Sequence, residues 1–163
     1  MNDVKLILGT MTFGESVFSP DVEAFVKAFL DAGYDELDTA YVYNEGNCER
    51  LLGEVLPQLD RPFRIATKVN PRISGKLDAD AAYKQVNESL ERMKLPAADT
   101  VFLHFPDPAT PVEGVLGAMA ELHEQGKFRE PEPQREQFEI RQQPPAAGKR
   151  IEPEEEFIDR QIL

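Results

Sequence analysis

The 163-residue chain has one cysteine, Cys48, and no tryptophan. A single thiol excludes an internal disulfide framework and a cysteine cage around zinc. Positive charge is in short supply: 18 Lys plus Arg stand against 30 Asp plus Glu, a formal charge of -12. Nucleic acid and anionic membrane surfaces both demand a basic face, so neither is an expected partner. No stretch approaches the roughly 18 consecutive apolar residues of a membrane span. Residues 1–6 place no basic segment ahead of a long apolar one, as a secretory signal would. Histidines number only two, and no cluster has metal-ligand spacing. A cytoplasmic protein without a metal is the expectation. The chain is also short in one further sense, since a complete eight-unit (β/α) barrel takes about 250 residues.

What is present changes character near Glu130. Before it, apolar runs with strand composition at residues 4–8, 34–37, 63–69 and 100–103 each precede a stretch with helical period. The first helix is predicted from Ser19-Pro20, a cap followed by proline at the first helical position. It places Val22, Phe25, Val26, Phe29 and Leu30 on one face, and Gly33 at its C-terminal cap. The second carries Leu51, Leu52, Val55, Leu56 and Leu59, and stops around Pro57. The third runs from about Asp78 to Met93 with Tyr83, Val86, Leu90 and Met93 inward. The fourth opens on a capping box, Thr110-Pro111-Val112-Glu113, turns Val115, Leu116, Met119 and Leu122 inward, and ends at Gly126.

Strict alternation of strand and helix implies parallel strands joined by right-handed crossovers. An open doubly wound sheet and part of a (β/α) barrel fit this pattern equally. Residues 131–163 read differently, with prolines, glutamates and glutamines outnumbering large apolar residues. Pro131 and Pro133 stand where a fifth strand is due and would deny a central strand its ladder donors. The expected division is therefore a domain over residues 1–130 and a disordered tail over 131–163.

Some motifs can be set aside. Gly9 and Gly14 have the outer spacing of a phosphate loop, but Glu15 occupies the lysine position. No G-x-G-x-x-G follows a strand. Cys48 precedes Leu51 and Leu52 by one turn and reads as packing; His123, between glutamates, reads as inert. The informative set lies at the C-terminal ends of the strands, where parallel α/β folds carry their ligand sites. Thr10 and Met11 follow strand one, Asp38 and Tyr43 follow strand two, Lys68 ends strand three and His104 ends strand four. A phenol is a poor acid near neutrality, with a pKa of about 10 in water. An adjacent ammonium favours its charged form, and a carboxylate holds the ammonium in place. Such a phenol can donate a proton to a carbonyl oxygen while an imidazole orients that carbonyl.

These residues carry a family resemblance as well. LGTMTFG at 8–14, ELDTAYVY at 36–43, IATKVNP at 65–71, VFLHFPD at 101–107 and residues 110–129 resemble the aldo-keto reductases. The likeness is greatest to the aflatoxin aldehyde reductase and succinic semialdehyde reductase branch, over about residues 4–130. It implies an α/β fold, the N-terminal four βα units of a (β/α)8 TIM barrel. It also implies NADPH-dependent reduction of small aldehydes or ketones to alcohols. Asp38, Tyr43, Lys68 and His104 would form the catalytic tetrad: Tyr43 the proton donor, Lys68 its aid, Asp38 the holder of Lys68, and His104 the residue that orients the substrate. Met11 and Asp38 would lie at the nicotinamide of NADPH or NADP.

After Glu130 the likeness stops, so strands five to eight and the cofactor's phosphate loops are expected to be missing. The expectation is a truncated reductase, weakly active or inactive as an isolated chain, with weak cofactor affinity. Its open sheet edges would favour a homodimer or aggregation. Two other readings stay open. One is a non-catalytic interaction protein or partner subunit of the same descent. The other is a hydrolase using Asp38 or Glu45.

Overall fold

The computed structural model describes residues 5–129. The expected tail at 131–163, and the opening residue of the first expected strand, lie outside the described residues. Four strands, β1 (Leu8–Gly9), β2 (Glu36–Asp38), β3 (Arg64–Val69) and β4 (Thr100–Leu103), make one parallel sheet in the order 1-2-3-4. The helices are α1 (Asp21–Asp31), α2 (Asn47–Val55), a single turn α3 (Pro71–Ser74), α4 (Ala79–Met93) and α5 (Val112–Glu124). A doubly wound sheet reverses its strand order at a switch point. This order never reverses, so successive right-handed crossovers lay the helices on one face, as in an arc of a barrel. No helix among the described residues is long and apolar enough to cross a membrane.

The arc continues past β4. Ala98 and Phe128 form a parallel bridge, with Ala98 N donating to Lys127 O at 3.1 Å and Arg129 N to Ala98 O at 3.1 Å. The chain leaving α5 thus returns alongside the start of β4 ahead of Pro131, earlier than the prolines suggested.

The core lies between the sheet's covered face and the helices. Leu37, Ile65, Val69 and Val101 meet Val22, Val26 and Leu30 of α1, Leu52 and Val55 of α2, Val86, Leu90 and Met93 of α4, and Val115 and Leu122 of α5, all buried. Helix α2 crosses α4 at Gly53, where a Cβ would stand 2.1 Å from the Arg92 carbonyl oxygen, so only glycine allows the approach.

Several local expectations fail, each for a physical reason. Only Leu8–Gly9 pair in β1, with Leu37 and Asp38 of β2, and Leu6 and Ile7 are left exposed. Helix α1 starts at Asp21 with Pro20 in the cap position and no side-chain cap, so Ser19 does not cap it. Phe25 and Leu116 face solvent, since a helix lying on a sheet buries a narrower line than its whole apolar stripe. Phe29 instead stacks on Tyr34 at 5.2 Å between ring centroids. The capping box at Thr110 does not form. The Thr110 hydroxyl is engaged by Asp107, and this bond is the first cause that holds the Asp107 carboxyl below the usual carboxylate range. The third predicted helix stands as read, with Asp78 accepting from Ala81 N at 3.0 Å as its N-cap.

Candidate active site

Side chains alternate along a strand, so the residues between the buried ones on β2, β3 and β4 point away from the helices. Asp38, Lys68 and, one step beyond β4, His104 share that open face. Tyr43 reaches it from the 3₁₀ turn Tyr43–Gly46 that follows β2. The end of β2 is fixed from behind: Thr10 donates to the Asp38 carbonyl oxygen through its Oγ1 at 2.9 Å and its N at 3.0 Å.

Lys68 is the hub. Its Nζ donates to Asp38 Oδ2 at 2.5 Å, to Thr39 O at 2.8 Å and to Tyr43 Oη at 3.2 Å. An ammonium has three hydrogens, and each has an acceptor here. Because Tyr43 Oη accepts from Lys68, its own hydrogen is directed elsewhere.

His104 meets the Tyr43 ring edge-on, with centroids 5.9 Å apart and planes at 84°. Its other neighbour is Phe105, stacked at 4.6 Å. The tautomer follows from Asn70. Arg72 N donates to Asn70 Oδ1 at 2.8 Å, which identifies that atom as the oxygen. The remaining Nδ2 can only donate, and it lies 3.3 Å from His104 Nδ1. Nδ1 therefore accepts, and the neutral ring carries its proton on Nε2. Burial first, then the positive charge of Lys68, pushes the His104 pKa below its ordinary value; Asp38 opposes this and Arg72 adds to it. The ring is neutral at pH 7 with one N–H to offer.

The sequence reading placed Asp38, Tyr43, Lys68 and His104 at one rim, and the structure brings them together there. Met11 is 59% exposed, and its carbonyl accepts from Asn44 Nδ2 at 3.0 Å. Cys48 is fully buried, 3.1 Å from Thr10 Oγ1 and 3.2 Å from Thr39 Oγ1, and burial pushes its thiol pKa up, which fits packing and not reactivity. His123 packs near the Phe128 ring at 5.5 Å. Glu45 is exposed, and its carbonyl accepts from Arg50 Nη1 at 3.2 Å.

Residues not anticipated form a supporting layer. Gln85 clasps the Asn70 backbone, accepting from its N at 2.7 Å and donating to its O at 3.0 Å. Glu49 is completely buried, bound by Thr67 Oγ1 at 2.8 Å and Arg92 Nη1 at 3.1 Å. The Arg92 guanidinium also lies 4.2 Å from the centroid of the Tyr41 ring. Two signals were there to be read. Asn70-Pro71 is a cap followed by a first-turn proline. Glu49 sits three, four and seven places before Leu52, Gly53 and Leu56, on the buried line of its helix.

A family model described as "Aldo/keto reductase family" matches residues 5–130. The chain is 42% identical over 130 residues to "Aflatoxin B1 aldehyde reductase member 2" of Homo sapiens, a match covering 78% of this chain and 36% of that protein. It is 40% identical over 127 residues to "Aldo-keto reductase family 7 member A3" of Homo sapiens, covering 76% of this chain and 38% of that one. Among solved structures, it resembles a thermostable aldo-keto reductase in complex with the inhibitor epalrestat, at a TM-score of 0.67 and 29% identity, covering 77% of this chain and 47% of that chain. A glycerol dehydrogenase from Gluconobacter oxydans gives a TM-score of 0.67 at 27% identity, covering 76% and 42%. The chain thus spans well under half the length of the curated relatives it matches.

Proposed function

This chain belongs to the aldo/keto reductase family, and from that premise we propose that it carries the proton-transfer half of an NADPH-dependent reduction of small aldehydes or ketones to alcohols. One observation carries the reading: a single ammonium, Lys68 Nζ, is bound to Asp38 at 2.5 Å and to the Tyr43 hydroxyl at 3.2 Å. Tyr43 Oη gives its proton to a carbonyl oxygen as negative charge grows there. Lys68 steadies the phenolate left behind, and Asp38 holds Lys68 in place. His104, neutral and protonated on Nε2, donates to the same carbonyl oxygen and orients it.

The open face fits the nicotinamide end of such a cofactor, since Asp38 and Lys68 keep 30% and 15% of their side chains accessible and Met11 stands exposed. Met11 and Asp38 would hold that end, and the cofactor supplies a hydride when bound. Because the chain covers 36% of its human relative, the reading includes weak affinity for NADPH or NADP and weak turnover by the isolated chain. It also includes a domain boundary at residue 130, a cytoplasmic setting, and self-association through the β4 edge, where Phe102 is 42% and Leu103 39% exposed. Sedimentation velocity across a concentration series tests the last of these; a single monomeric species throughout would remove it.

The reaction is tested by titrating the whole chain with NADPH, following nicotinamide fluorescence, and then assaying small aldehydes. Saturable binding with Tyr43→Phe slowing turnover by about 10²- to 10⁴-fold supports the reading. Equal turnover by the two proteins would exclude Tyr43 as donor.

A further inference from the structure

The residue that follows Tyr43 is held in an unfavourable backbone conformation. Asn44 has φ 49° and ψ 46°, Glu45 φ 56° and ψ 34°, and Gly46 φ 79°, so three left-handed residues run in succession. For side chains other than glycine this region brings Cβ against the following carbonyl, and asparagine is among the few that tolerate it. Such a run persists only where its surroundings dictate it.

Here they do so from two sides. Asn44 Nδ2 uses both of its hydrogens on the segment after β1, donating to Met11 O at 3.0 Å and Phe13 O at 2.7 Å. Behind Gly46 lies the Arg92 guanidinium, 2.5 Å from where a Cβ would stand, so the turn cannot retreat. Tyr43 is the first residue of this turn, and its ring is what Lys68 and His104 meet.

We propose that Asn44 is a positioning residue: its amide ties the left-handed turn to residues 11–13 and thereby sets the Tyr43 ring against Lys68 and His104. The tie makes the Met11 segment and the Tyr43 turn a single unit, so a shift in one is passed to the other. The geometric part of this inference is independent of the reductase reading; only its catalytic consequence rests on that reading.

The test uses the edge-on contact between Tyr43 and His104. The chain has two histidines, so their ring C–H resonances in a proton NMR spectrum of the whole chain are readily told apart. His104 is shifted by the Tyr43 ring current, and Tyr43→Leu gives the position without it. Asn44→Gly relaxes the strained backbone while removing both donors, and should therefore keep the fold. His104 is expected to move more than half-way to its Tyr43→Leu position, with His123 and the far-ultraviolet circular dichroism unchanged. A purely structural role predicts the opposite, a stable variant with His104 unmoved, and that result overturns the proposal. Should Asn44→Gly lose its fold, the same reading is taken from Asn44→Asp, which retains the side-chain shape and tolerance of the turn but offers carboxylate oxygens to the two carbonyls. Where the parent chain turns over, the proposal further expects kcat to fall with KM held. An inactive parent leaves the NMR result standing, so failure of the reductase reading and failure of the tie are told apart.

Discussion

Thr67 and Lys68 are neighbours on β3 with opposite surroundings. Thr67 gives its hydroxyl hydrogen to the buried Glu49 of α2, while Lys68 reaches Asp38 on the open side. The same division runs across the sheet: Leu37 is fully buried beneath the helices, and Asp38 beside it keeps part of its side chain in solvent. The charged pair on the covered face, Glu49 with Arg92, is closed inside the protein, and of the buried polar groups there the Ser89 hydroxyl stands without a partner among the described residues. Polar groups on the open face come from separate segments and leave two donors unspent among the described residues: the Tyr43 hydroxyl hydrogen and His104 Nε2–H. Stability and chemistry are thus kept one residue apart along the same strands. A lesion on one face should therefore leave the other largely intact.

The largest effect should come from the covered side. Arg92→Met leaves the Glu49 charge buried without its partner, at a cost of about 3–5 kcal/mol in urea unfolding. A loss below about 1 kcal/mol would mean that the pair is not what holds α2 to α4. Next is a matched pair across one peptide bond. Leu37→Ala should cost about 2–5 kcal/mol as a core truncation. Asp38→Asn should cost at most about 1 kcal/mol, because its ion pair with Lys68 is partly solvent-exposed. Equal losses for the two would erase the distinction between the faces.

The smallest effect sharpens the comparison through pH. The folded-state pKa of His104 lies below the unfolded value of about 6.5. Its contribution to stability is then fully present above about pH 6.5 and is lost as pH falls through the lowered folded value, because the unfolded chain binds the proton first. Unfolding free energies of the parent and His104→Gln, compared between about pH 8 and about pH 5, should show the parent losing the more on acidification. A parallel decline in both would place the acid-sensitive group elsewhere.

How much of this was legible in the chain depends on the range of the interaction. The limits of α4 could be read because the cap at Asp78 and the spacing of Val86, Leu90 and Met93 are local. The four rim residues could be read because a parallel topology brings all strand ends to one edge, whatever their separation in sequence. The supporting layer could not. Glu49 and Arg92 are 43 positions apart, and nothing in either helix's periodicity says that the other exists. Asn44 was hidden for another reason: a left-handed conformation leaves little trace in composition when asparagine, not glycine, adopts it. Thr110 shows the converse error, a correct local motif outbid by Asp107, a neighbour with a stronger claim on its hydroxyl.

The bridge between Ala98 and Phe128 works as a primer does for a growing polymer. Two backbone hydrogen bonds, from Ala98 N to Lys127 O and from Arg129 N to Ala98 O, set polarity, register and face before any later side chain is involved. Amides do this work irrespective of sequence. A foreign strand grafted behind Arg129 would be laid down parallel to β4 from its first residue, which makes that position a natural joint for building barrels from parts.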